Sequence, residues 1–223
     1  MKPINTVLTI LFITLLSSPS WSVTMDDLVE RNGLYYNQFS DVLFTGKITG
    51  DEQVSFKNGK REGAFVSYYE NGKLSDKGNY KDGKRDGTWL AYWNMGDWEN
   101  GQLSYWENDQ LSYKVNYKND KEDGTWIGYF DSGQLHDKGN FKNGYKVGAW
   151  ISYWEGGQLH DKGNFKNGYK VGAWVGYHVN GQLLFKGNYK DGYEEGVWIN
   201  YWEDGTVRKK YTGTFKNGKK ISD

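Results

Sequence analysis

Three histidines, His136, His160 and His178, are the residues best suited to metal or proton chemistry in this chain. His136 and His160 sit at equivalent places in the duplicated string GQLHDKGNFKNGYKVGAW, which runs from Gly133 to Trp150 and again from Gly157 to Trp174. If each copy forms two strands, the two histidines stand about 10 Å apart. Zinc holds its ligand atoms about 2 Å from one centre, so the pair cannot share an ion. Pairing residue 166 with 173 would set His178 opposite Asp161, on the other face from His160. The histidines therefore read as surface residues copied with the repeat, and no metal site is expected. With no cysteine in the chain, thiolate nucleophiles, disulfides and Cys-based zinc sites are excluded.

Other catalytic patterns fail as well. Hydrolysis by paired carboxylates needs one raised pKa in a dry cleft. Here acids gather at turns, as in Glu194-Glu195 and Glu203-Asp204. No serine stands in a Gly-x-Ser-x-Gly setting, and the glycine-rich strings do not open a helix that could cradle phosphate. No catalytic residue and no cofactor is expected, and the chain reads as non-enzymatic.

What must be positioned, then, is a surface. An aromatic–Lys–Asn/Asp string recurs at Phe56, Tyr80, Tyr117, Phe141, Phe165, Tyr189 and Phe215, and four of the six spacings are 24. The long spacing, 37, follows from half a repeat inserted near Tyr92-Trp93, which recurs as Tyr105-Trp106. Each unit carries two turn signals, such as Asn143-Gly144 and Gly156-Gly157, hence two strands. The expected fold is all-β: an elongated antiparallel β-meander of tandem hairpin repeats of about 24 residues, each contacting mainly its neighbours. Thirty glycines argue against helices, since each internal glycine costs about 1 kcal/mol relative to alanine.

Aromatics make up 17% of the chain, and few aliphatics are available for a core. Alternation along AWISYWE sets Trp150, Ser152 and Trp154 on one face and Ala149, Ile151 and Tyr153 on the other. Rings are expected on both faces, stacked in rows across Gly139, Gly163 and Gly187. Each ring buries roughly 150–250 Å², which lets a thin sheet hold together.

Residues 1–22 read as a secretory signal peptide: Lys2, the apolar run Val7 to Leu16, then SSPSWS with cleavage near Ser22. A ten-residue apolar helix spans about 15 Å, half a bilayer core. The mature protein is expected to be exported, periplasmic or secreted. Residues 23–50 are expected to cap the array and residues 51–223 to form it. Lys plus Arg and Asp plus Glu are both 28, so no overall field draws the chain to nucleic acid. Acidic residues are interspersed with basic ones, no polybasic face is expected, and lipid is an unfavoured partner.

The unit G-N-[FY]-K-[ND]-G-x-x-x-G-x-W-x-x-Y, as in Gly163 to Tyr177, resembles the MORN repeat in its bacterial variant, whose members are labelled antitoxin-like. The likeness runs from about Phe44 to Asp223. It implies tandem β-hairpins and a binding or scaffolding role, with membrane attachment and protein assembly among eukaryotic relatives.

The candidate binding residues are repeated ones. Tyr145, Tyr169 and Tyr193 occupy one position in successive hairpin loops, followed by Lys146 and Lys170, and a tyrosine row can grip a partner. Trp150, Trp174 and Trp198 supply the sheet-face candidates. A protein partner is favoured, held by several weak contacts adding through proximity. An envelope glycan stacked on Trp and Tyr rings is the alternative, ahead of membrane attachment or an antitoxin-like inhibitor.

Overall fold

The computed structural model describes residues 22–94, 96–99, 102–105 and 110–223, for 96–99 and 102–105 the backbone alone. The expected leader, up to residue 21, lies outside the described residues. Among them no helix is long and apolar enough to cross a membrane. A 16-stranded sheet extends from Gly46–Ile48 to Lys219–Ser222, its strands following one another almost in chain order. Every pair in the central repeats is antiparallel.

The unit Leu135–Lys142 followed by Tyr145–Tyr153 shows how the sequence folds. Asn143 and Gly144 take φ of 51° and 84°, the two left-handed positions of a tight hairpin turn. The turn is therefore two residues long, with Lys142 opposite Tyr145. The same holds for Lys166 and Tyr169. This corrects the placing of Tyr145 and Tyr169 in hairpin loops: both begin the returning strand, and the lysine and valine after each continue it. It also corrects the register, because Asp161 stands opposite Gly176 and not opposite His178.

Further along the returning strand, Lys138 pairs with Ile151 while Asn140 pairs with Val147. Two extra residues on that strand make a bulge, at which Gly148 adopts φ 66°. The bulge brings Trp150 across Gly139, whose absent side chain would begin 2.2 Å from the indole. Gly163 and Gly187 make the same room for Trp174 and Trp198.

Adjacent hairpins are also joined at their tips. The turn amides of Gly144, Gly168, Gly192 and Gly218 each donate to a carbonyl of the preceding hairpin, at Glu122, Lys146, Lys170 and Glu194. The inserted half repeat leaves the array intact. Gly87–Tyr92 pairs directly with Leu111–Lys118, and Gly96–Glu99 with Gln102–Tyr105 forms a separate two-stranded ribbon.

At the N-terminal end, a hairpin of Leu28–Arg31 and Leu34–Asn37 precedes the sheet. Val23, Met25, Leu28 and Tyr35 pack against a buried cluster that includes Phe44, Ile48, Val54 and Phe56. The first strand of the sheet, Gly46–Ile48, thus lies within the segment expected to cap it.

Candidate binding face

The two faces of the sheet differ in kind. On one, Trp126, Phe141, Trp150, Phe165, Trp174, Tyr189 and Trp198 form an unbroken edge-to-face row, with centroids 4.8–6.0 Å apart. Such pairs contribute about 0.5–1.5 kcal/mol each beyond burial. Trp150, Trp174 and Trp198 are only 5%, 4% and 2% exposed. Their indole N–H groups donate to the carbonyls of Asn140, Asn164 and Asn188 beside the bulges, at 3.2, 3.2 and 2.9 Å. These three tryptophans are core residues, and Trp150 and Trp174 also contribute to the lining of the groove described below.

Lys146 and Lys170 roof this row. Each ammonium lies 3.9 Å from the centroid of the tryptophan four residues on. Asp137 and Asp161 stand about 4 Å away, at 4.0 and 3.9 Å respectively. Burial pulls the Lys170 amine below its usual range, opposed by Asp161 and assisted by Lys146. At the corresponding position of the next repeat stands Glu194, whose carboxyl is pushed up by burial.

The other face was not expected to be basic, and here the structure overturns the sequence reading. Residues directly opposed across strands share a face, and pairing links one row along the sheet: Val66, Lys77, Leu90, Lys114, Ile127, Lys138, then Ile151, Lys162, Val175, Lys186 and Ile199. Lysines and aliphatic side chains alternate strand by strand. Lys77, Lys114, Lys138, Lys162 and Lys186 are all exposed, and none has a carboxylate within 4 Å among the described residues. The equal totals of acid and base hide this separation, because Asp137 and Asp161 turn toward the rings while Lys138 and Lys162, one residue on, turn away.

This face is hollowed into a groove of about 1010 Å³ spanning four repeats, lined by Lys138, Lys162, Lys186, Ile151, Val175 and their neighbours. Beside the lysine row runs a second ladder in which Thr125, Ala149 and Ala173 face Asn140, Asn164 and Asn188. The sequence held a signal for it: in K-G-N-[FY]-K the alternate residues Lys, Asn and Lys must fall on one face.

Tyr145, Tyr169 and Tyr193 stand on the same face at the turns, opposite Lys142, Lys166 and Lys190, at 59%, 61% and 60% exposure. Each ring rests against the glycine of the next turn, Gly168, Gly192 or Gly218. The sequence-predicted residues are therefore divided: the tyrosines belong to the lysine face, whereas Lys146, Lys170 and the tryptophans belong to the ring face.

The histidines have structural company. His136 is half exposed beside Asp137. His160 Nδ1 lies 3.1 Å from Ser152 Oγ, which donates to Asp161 Oδ1 at 2.5 Å. A hydroxyl has one proton, so His160 must donate to the serine, the reverse of a base activating a nucleophile. His178, with a side chain 13% exposed, donates from Nε2 to the Tyr201 carbonyl at 3.0 Å. Trp154 serves the Tyr177 carbonyl identically one repeat earlier. His178 is thus a partly buried inter-repeat donor, not the solvated residue expected. Among the described residues no cluster of three or more His, Cys, Asp or Glu could hold a metal ion.

The sequence pattern described as MORN repeat variant matches residues 61–82, 102–119, 122–143, 146–167, 170–191 and 194–217, more than half of the chain. The chain belongs to the MORN repeat variant family. MORN repeats are generally non-catalytic units that mediate protein or membrane interaction. No curated protein matches the chain. Among solved structures, a chain of the GtfA/B complex bound to UDP and GlcNAc aligns with 78% of this chain at 10% identity and a TM-score of 0.17. The match takes in 27% of that structure's own chain, and at this level of similarity it carries no argument.

Proposed function

We propose that this MORN repeat protein is a non-catalytic, exported interaction scaffold that holds a protein partner along its lysine face. The observation that carries the reading is the open groove, in which equivalent lysine and asparagine positions recur on three consecutive repeats and the aliphatic position on four. Equivalent contacts at fixed spacing act together, because the first to form raises the local concentration for the rest. The exposed Tyr145, Tyr169 and Tyr193 add contact area at the turns of the same face. An antitoxin-like inhibitor would be one form of such binding.

The test is a crosslinking pull-down from the native envelope with the intact chain and with a Lys138→Glu, Lys162→Glu, Lys186→Glu variant. The intact chain is expected to enrich a defined protein that the variant loses. Equal enrichment by both would remove the lysine face from the account. Sedimentation of the purified protein with cell-wall polysaccharide, without a protein partner, would favour a glycan.

A further inference from the structure

The lysine row has a period that selects the conformation of its ligand. Successive lysines are two strands apart, or about 9.6 Å at about 4.8 Å per strand. An extended β-strand ligand matches poorly: three residues cover about 10 Å, but every third side chain then points to alternate sides. A polyproline II segment rises about 3.1 Å per residue with three residues per turn. Every third side chain therefore returns to the same side after about 9.3 Å. From Lys77 to Lys186 the row spans four steps, about 38 Å. Four turns of polyproline II span about 37 Å.

We propose that the groove binds an acidic polyproline II segment of a protein, with Asp or Glu at every third position, lying across the strands along the lysine row. The proposal rests on the protein-scaffold reading above. Charge complementarity is one argument for this occupant, since the five lysines have no carboxylate partner among the described residues. The second is the apolar residue between each pair of lysines, Leu90, Ile127, Ile151 or Val175, which suits proline rings between the acids. The third is the asparagine ladder. A polyproline II backbone makes no internal hydrogen bonds, and its carbonyls are free to accept from the side chains of Asn140, Asn164 and Asn188. Those residues already give their own carbonyls to the indoles behind, which fixes their backbone.

The test uses the full-length mature protein and fluorescein-labelled (Glu-Pro-Pro)₅, read by anisotropy at low and physiological salt. A peptide of the same composition with its five glutamates in one block serves as the comparison. Binding of the periodic peptide at least tenfold tighter than the block peptide is expected, weakening with salt. The variant Lys138→Gln, Lys162→Gln, Lys186→Gln should lose at least tenfold in affinity, while Lys146→Gln on the ring face should not. Circular dichroism and melting of each variant confirm that the sheet is intact. Equal affinity for both peptides would overturn the periodic proposal. Absence of binding would do so too, and a partner still lost by the glutamate variant in the pull-down would leave the scaffold reading standing. Tighter binding of a polyuronate of equal charge than of the periodic peptide would transfer the groove to an anionic glycan.

Discussion

The ring face and the lysine face are built from alternate residues of the same repeat, yet they handle polarity in opposite ways. On the ring face, polar groups are paired: indoles donate to carbonyls, Lys146 and Lys170 cover rings, and Asp137 and Asp161 stand near those lysines. On the lysine face the exposed Lys77, Lys114, Lys138, Lys162 and Lys186 have no carboxylate within 4 Å among the described residues, whereas Lys142, nearer the turn, pairs with Asp123. A one-layer sheet has no second layer to bury a core against. This one makes its core on a single side, out of flat rings laid across glycine, and leaves the lysines of the other side exposed. The difference teaches that a buried ring face and an exposed lysine face are separated by the two-residue period of the strand, not by domains.

That separation can be broken most severely from the ring side. Trp174→Ala is expected to cost about 3–5 kcal/mol by chemical denaturation. Lys162→Ala, on the strand paired with it, should stay within about 0.5 kcal/mol. Similar losses from both would erase the distinction between the faces. Next in size is Gly163→Val, which forces a branched side chain into the Trp174 indole and should cost about 1–3 kcal/mol or more through overpacking. A neutral outcome in the same melts would mean the ring can lift away.

Smaller effects sharpen the picture at the edges of the array. His178→Phe keeps the packing but leaves the Tyr201 carbonyl without its donor, at an expected cost of about 1 kcal/mol. The imidazole should show an Nε2–H tautomer by NMR. The smallest effect is expected from Glu194→Gln, and its sign depends on pH. Burial raises the folded-state pKa of Glu194 above its unfolded value, so the folded protein holds that proton more tightly. The stability this group contributes is present below the ordinary carboxylate range and is lost as pH rises through the folded pKa. Glutamine should therefore raise the melting temperature at neutral pH, with the gain vanishing in acid. A gain independent of pH would mean that burial of the charge is not its source.

Much of the fold could be read from particular residues. Asn143-Gly144 and its copies announce the hairpins, and the glycines before Asn140, Asn164 and Asn188 announce where the tryptophans lie. The hairpin register was misread because Tyr-Lys-Val looks like loop until the two-residue turn closes it into the strand. The bulge at Gly148 carries no distinct letter either, since glycine serves turns and bulges alike. The lysine face was concealed by the net charge, although Asp137-Lys138 and Asp161-Lys162 already place acid and base on opposite sides once alternation is applied. His178 was misjudged because its role depends on a carbonyl in the following repeat, a contact that no local pattern reports.

The central claim is that ligand meets Lys138, Lys162 and Lys186 and leaves the ring face untouched. Reductive ¹³C-methylation of the lysines tests it directly, because each dimethyl-lysine gives its own NMR signal, assignable by single Lys→Arg variants. On titration with (Glu-Pro-Pro)₅, the signals of Lys138, Lys162 and Lys186 are expected to shift together while those of Lys146 and Lys170 stay in place. Shifts confined to Lys146 and Lys170 would contradict the account.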